Sequence, residues 1–386
     1  MSKAPDYYYE SLNKPQKAAY HAMLEGIKNL QPSFAVPRLE GKELADIYFM
    51  IRMDHPEIFY TTKFHYRFYQ QADSIEFIPE YLFEKSKIKT HQQALKSRVE
   101  KLARPAMNLT ELEKEKYVHD FICQNVRYDK LKKDYSHEII GPLGQGVGVC
   151  EGIAKSVKIL CDALGLWCII AICGNNPEKG IKYRHTWNIV KLGKTYYHLD
   201  ATFDNSLGSG PASGVESTPE PGNAPSSSNS VKNSPANAAA GTSVRKAAAD
   251  DIRYDYFNID DKAVFRDHEP VLWKVPACTD HEHFYYKENK LSFTKTEDVR
   301  KRAQQTAKKD GKSFVFHWRG GYLTREVLQE LLVIIEEEAQ KKEKHAHISL
   351  NWPQAVIRMS FEKEAPAEQM KVEEANEGEL YKAEEC

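Results

Sequence analysis

Apolar positions along this chain recur with two periods, near 3.6 and near 2, and the switches between them lay out its elements. Ala18, Ala19, Met23 and Ile27 fall at helical spacing within residues 15–30, and a second helix is predicted over 42–52. It should end near Asp54-His55-Pro56, because a residue before proline avoids the helical region. Residues 64–69 and 74–81 read as two strands around Gln71-Ala72-Asp73, and a basic, mostly helical segment follows over 85–102. Thr110-Glu111-Leu112-Glu113 is a capping-box pattern, in which Thr110 and Glu113 satisfy free backbone donors at a helix start. The stripe Leu112, Tyr117, Phe121, Ile122 carries that helix to about Asn125. Ile153, Val157, Leu160 and Leu164 mark one face of a helix over 150–164 with Gly165 to end it, and 167–173 is an apolar, β-branched run suited to a buried strand. After a polar loop, 184–191 and 195–201 alternate as strands of a hairpin turning at Gly193-Lys194.

From Asn205 to about Ala249 the chain turns to Ser, Pro, Gly, Ala and Asn, too poor in bulky apolar residues to offset the entropy of ordering. Tyr254-Asp255-Tyr256-Phe257 then resumes core-like sequence, so this stretch interrupts a domain and does not separate two. Strands at 313–318, 347–351 and 356–361 with a helix at 324–338 predict a small α+β layer. The expected organisation is a mainly helical N-terminal region with a β-hairpin (1–110), a core (111–275) carrying a disordered insertion (205–250), a small α+β C-terminal region (276–361) and an acidic flexible tail (362–386).

With 41% hydrophobic and 11% aromatic residues, the chain has material for a substantial core. Lys+Arg 54 against Asp+Glu 55 leaves a net charge of -1, which gives no support for a nucleic-acid partner. Met1-Ser2-Lys3-Ala4-Pro5-Asp6 lacks the apolar run of a secretory signal and no stretch approaches membrane-spanning length, so no membrane partner is expected. The cysteines are odd in number, contain no C-x-x-C pair and sit mostly in apolar runs, which favours reduced thiols in a cytoplasmic setting.

The chemistry concentrates at Gly146-Val147-Gly148-Val149-Cys150-Glu151-Gly152, which puts Cys150 at a predicted helix start. Unpaired backbone N–H groups there favour a thiolate and can bind an oxyanion. Gly146 and Gly148 are expected to let the backbone turn sharply and leave the sulfur uncovered. If Gly193-Lys194 is a two-residue turn, Asp200 lies opposite Trp187 on the face that His185 shares, diagonal to His185. A one-residue slip would send His185 and Asp200 to opposite faces. A thiol, an imidazole to take its proton and a carboxylate to orient the imidazole are the parts of a nucleophilic cysteine site. The competing reading makes all three plain core or surface residues.

Gly148 to Ala154, His185-Thr186-Trp187-Asn188 and Leu199-Asp200-Ala201-Thr202-Phe203-Asp204, in this order, resemble the transglutaminase-like superfamily, particularly its bacterial branch. Tyr254 to Asn258 and Arg266-Asp267-His268 resemble the segment that follows the core in that branch. The resemblance runs from about Leu112 to His268. It implies a papain-like α+β fold, with the cysteine's helix packed on an antiparallel sheet, Cys150 as nucleophile, His185 as base and Asp200 as orienting acid. Phe203 stands where a tryptophan is common, a packing difference. Gln145 is a candidate oxyanion donor with loop-capping as its other reading, and Trp187 a candidate substrate-lining residue or plain core. The implied activity is that of a cysteine peptidase or acyltransferase working on a protein or peptide through a thioester, without cofactor. Hydrolysis is slightly favoured over amine cross-linking. The alternative is a non-catalytic transglutaminase-like scaffold or protein-binding module.

Other features carry less. Cys278 with His281 and His283, and His345 with His347, fall short of a four-ligand zinc pattern, so no metal is expected. Glu151 reads as a complement to the helix dipole, and Cys161, Cys168 and Cys173 as buried thiols. Sequence alone offers no physical account of the run Tyr7-Tyr8-Tyr9.

Overall fold

The N-terminal tyrosines form the first element, α1 (Tyr7–Glu10), and their role is tertiary. Tyr8 is buried with its hydroxyl donating to the Ile170 carbonyl, and the backbone N–H groups of Tyr8 and Tyr9 donate to the Asp54 carboxylate at 3.1 and 3.2 Å. The computed structural model describes residues 6–179, 181, 184–208, 252–308 and 313–363. From residue 209 onward the expected insertion lies outside the described residues, as does the expected tail beyond 363.

Helices α2 (Lys14–Lys28) and α3 (Gly41–Asp54) pack on an antiparallel sheet of β1 (Phe34–Pro37), β2 (Thr61–Phe68) and β3 (Ser74–Tyr81) in the order β1-β3-β2, and α4 (Lys85–Ala103) follows it. Strand β1 escapes the alternation test because it has four residues and ends in a proline, which suits a sheet edge. Helix α5 (Glu111–Asn125) starts at the expected capping box, with the Glu113 N–H donating to Thr110 Oγ1 at 3.3 Å and the Thr110 N–H to Glu113 Oε2 at 2.9 Å. Two short strands, β4 (Arg127–Tyr128) and β5 (Val147–Gly148), pair in parallel and return the chain to the start of α6 (Cys150–Ala163).

The central sheet is antiparallel, β6 (Cys168–Ile172), β7 (Thr186–Leu192), β8 (Thr195–Leu199) and β9 (Phe257–Ile259) in that order, with α7 (Ala201–Gly208) between β8 and β9. Residues 205–208, expected in the insertion, thus close a helix, and the Asn205 amide donates to the Val126 carbonyl at 2.6 Å. Helix α6 covers one face: Ile153, Val157 and Leu160 pack with Ile170, Val190 and Leu199 in a core that also takes in Tyr8, Met23 and Ile51. The boundary expected at residue 110 therefore does not divide the hydrophobic core. Ile169, Ala171, Trp187 and Ile189 form the other face and pack on Val264, Tyr286 and Val356. Burial on both faces explains why β6 reads as a continuous apolar run.

After α8 (Asp261–Val264) and α9 (Tyr285–Glu288) comes the expected α+β layer: β10 (Ser292–Phe293), α10 (Thr296–Lys308), β11 (Ser313–Trp318), α11 (Arg325–Gln340), β12 (His345–Asn351) and β13 (Val356–Glu362), in sheet order β10-β11-β13-β12. Helix α10 had no apolar stripe to reveal it because its buried positions are Val299, Ala303 and Ala307. Asp255 joins the layer to the core, paired with Arg358 and accepting from the Tyr286 hydroxyl at 2.8 Å and the Asn351 amide at 2.9 Å. Among the described residues no helix is long and apolar enough to cross a membrane.

Four buried charges fix the head of α6. Arg52 of α3 pairs with Glu138 and, at 2.8 Å, with Glu151; Lys155 pairs with the same two carboxylates at 2.8 Å each. Burial raises the Glu151 carboxyl, but Lys155 and Arg52 outweigh it and hold the group well below the usual carboxylate range. Glu151 is therefore a structural ion-pair partner more than a dipole complement. Lys155→Met leaves the cluster one cation short and is expected to lower the unfolding free energy by about 3 kcal/mol or more, read from the urea midpoint.

Candidate active site

Cys150 is the first residue of α6 and is only 7% exposed. The preceding Val149 offers no side-chain acceptor, so the first-turn N–H groups have no side-chain cap. Gly146 supplies the expected sharp turn, with φ at +67°. Gly148 works differently from the expectation: a Cβ there would stand 2.6 Å from Pro142 Cγ, so this position is set by close approach and not by a turn. The same holds for Gly152, whose Cβ would meet the Ser136 carbonyl at 2.2 Å.

The hairpin takes the predicted register, Leu192 opposite Thr195 through Asn188 opposite Leu199, so Trp187 and Asp200 are the next facing pair. His185 and Asp200 then meet directly, Nε2 to Oδ2 at 2.6 Å. Asp200 is 1% exposed. Its Oδ1 accepts the backbone N–H groups of Thr202 at 2.8 Å and Phe203 at 3.0 Å, which caps α7. Its Oδ2 also receives Nε2 of His268 at 2.9 Å. Burial pushes the Asp200 carboxyl up, but the His185 imidazole and the hydrogen bonds from His185 and His268 prevail and hold it well below the usual range.

Nε2 of His185 is committed to Asp200, and its Nδ1 is buried. The imidazole, 8% exposed, stacks on Phe203 at 4.8 Å and on Trp187 at 5.8 Å between centroids. Phe203 is thus more than a packing detail, since its ring covers the imidazole. Helix α6 crosses β7, with the Asn188 amide donating to the Ala154 carbonyl at 3.0 Å. Cys173 adjoins both partners: its N–H donates to the His185 carbonyl at 3.0 Å, and its thiol, pushed up mainly by burial, is lowered by His185 and raised by Cys150.

Two further candidates from the sequence are Trp187 and Gln145. Trp187 is 1% exposed and donates through Nε1 to His198 Nδ1 at 2.9 Å, which favours a wall behind His185 over a substrate contact. Gln145 is exposed at the end of the turn Ile140–Gln145 and, among the described residues, hydrogen-bonds none of the three. His268 lies in the Arg266-Asp267-His268 motif, from which no role for it can be read. The distance along the chain between 200 and 268 hid it, and no local pattern marks it.

Among the described residues, two groups bring metal-type donor atoms within 4.8 Å of one another: His185, Asp200 and His268, and His198, Asp261 and Cys278. In the second, Trp187 donates to Nδ1 of His198, so Nε2, 2.8 Å from Asp261, carries the proton that a metal would have to displace. Burial, then Asp261 and Asp260, push the Cys278 thiol up, against ligation. In the first, the Nε2 atoms of both histidines are engaged with the Asp200 carboxylate. Cys278 thus sits with His198 and Asp261, not with the His281 and His283 that adjoin it in sequence.

Residues 96–201 match the family model of the transglutaminase-like superfamily, a span that runs through Cys150, His185 and Asp200. A crystal structure of a TGase is similar at 13% identity over 42% of this chain and 47% of its own, with a TM-score of 0.21. A structure described as a candidate cysteine protease from Cytophaga hutchinsonii is similar at 14% identity over 36% of this chain and 61% of its own, with a TM-score of 0.24. The chain thus spans about half of the first and about three fifths of the second, and at these scores neither bears on its activity. No curated protein matches the chain.

Asp200→Asn tests the electrostatics. A carboxyl with a lowered folded value adds stability above its unfolded pKa of about 4, lost as pH falls. His268, raised by its carboxylate partners against burial, adds stability below its unfolded pKa of about 6.5, lost as pH rises. The Tm gap between wild type and Asp200→Asn is therefore expected to be widest between about pH 4 and 6.5; a gap that does not change with pH contradicts the buried ion pair.

Proposed function

We propose that this protein is a cysteine acyl-transfer enzyme acting on peptide or glutamine-type amides, with Cys150, His185 and Asp200 as its catalytic residues. The observation that carries the reading is the 2.6 Å pair between His185 Nε2 and Asp200 Oδ2, formed beside the helix that begins at Cys150. His185 Nδ1 takes the thiol proton, and the sulfur attacks the substrate carbonyl. First-turn N–H groups of α6 donate hydrogen bonds to the developing oxyanion. Collapse to a thioester expels the amine, which takes the proton from His185. Water, deprotonated by the same imidazole, then releases the acid and restores the thiol; an amine in place of water gives a cross-link. Hydrolysis is slightly favoured over cross-linking, because water is always present and nothing in the sequence reads as a dedicated amine-binding site. The setting is cytoplasmic, in keeping with free cysteines among the described residues.

Two measurements test this. With iodoacetamide limiting at neutral pH, mass spectrometry is expected to find Cys150 alkylated ahead of the other cysteines in wild type, and at least about tenfold more slowly in His185→Ala. Equal labelling in both proteins favours a non-catalytic scaffold. Cys150→Ala is expected to abolish turnover of any peptide substrate, and full activity in that variant rules the mechanism out.

A further inference from the structure

His268 follows α8 and its side chain is fully buried. Its Nε2 lies 2.9 Å from Asp200 Oδ2, the oxygen that His185 meets at 2.6 Å, and its Nδ1 lies 2.8 Å from Asp267 Oδ1. An ionised carboxylate accepts and cannot donate, so each ring nitrogen that faces one must carry a proton. His268 has both nitrogens so placed, which makes it an imidazolium. Asp267 is held in turn, its Oδ2 accepting from the Tyr256 hydroxyl at 2.5 Å and the Gln354 amide at 3.4 Å.

Among the described residues, the groups around His268 are two carboxylates, two imidazoles and aromatic rings. His268 is faced by Asp200 from the end of β8, Asp267 beside it, His185 from the start of β7 and His198 from within β8. The rings of Trp187, Phe203 and Tyr256 lie 4.9, 4.6 and 5.6 Å away. His198 is neutral by its hydrogen bonds, and burial lowers its pKa further. For His268 burial acts the same way, yet the bonds to Asp200 and Asp267 reverse it and the group is raised.

We infer that His268 is a positioning residue: an imidazolium clamped between Asp200 and Asp267 that aims Asp200 Oδ2 at His185 and offsets part of its charge, so that His185 gives up its proton more readily than beside Asp200 alone. The use of that proton rests on the proposed function; the charge arrangement does not. A buried carboxylate raises the proton affinity of the imidazole it faces. A second cationic ring, 5.2 Å from the first, works against this.

The test is an NMR titration of the imidazole Cε1–H signals in the full chain, in wild type, His268→Gln and Asp267→Asn. Gln places an amide N–H near the former Nε2 position without the charge. In His268→Gln the His185 midpoint is expected to rise by about one pH unit, a change that a merely structural role would not produce. In Asp267→Asn the His268 midpoint is expected to fall. In wild type His268 should still be protonated at pH 7. A neutral His268 in wild type at pH 7, or an unmoved midpoint in a folded variant, overturns the inference. If a variant does not fold, the wild-type titration decides alone. Loss of selective Cys150 labelling would instead sink the proposed function and leave these titrations unaffected, so the two failures are distinguishable.

Discussion

Asp200 is a charge taken almost wholly out of water, and this end of the sheet is arranged around the need to satisfy it. A buried carboxylate without partners costs several kcal/mol. Here one oxygen takes two backbone N–H groups at the head of α7 and the other takes two imidazoles. Hairpin register, the start of α7 and the turn carrying His268 therefore depend on one another. Displacing any of them strands the same charge.

A second electrostatic constraint sets the other half of the site. The head of α6 rests on two cations and two carboxylates, with Arg52 reaching in from α3. Close approach of the preceding loop at Gly148 and Gly152 leaves no space for side chains there. Cys150 is thus placed by contacts made around it, and the N-terminal helices are part of that placement. Their apolar residues share one core with α6, and Tyr8 reaches strand β6 with its hydroxyl.

The two faces of the central sheet divide the labour. One face, against α6, supplies most of the hydrophobic core, and the other carries His185, Asp200 and Trp187 toward the segment that returns after residue 252. The thiol begins the helix that covers one face and the imidazole precedes a strand of the sheet, and Cys173 feels the charge of both. The Asp255 network ties the C-terminal layer to that returning segment.

Much of this was legible in the sequence by itself. Apolar periodicity located most helices and strands, the capping box at Thr110 marked the start of α5, and the length of the Gly193-Lys194 turn set a register from which the meeting of His185 and Asp200 followed. These signals are local, each depending on residues a few positions apart. The second imidazole on Asp200, the ring of Phe203 over His185, the burial of the tyrosine run and the ion pairs of Glu151 were decided only by tertiary structure. Each joins residues whose separation along the chain carries no pattern, and only packing brings their charges and rings within bonding distance.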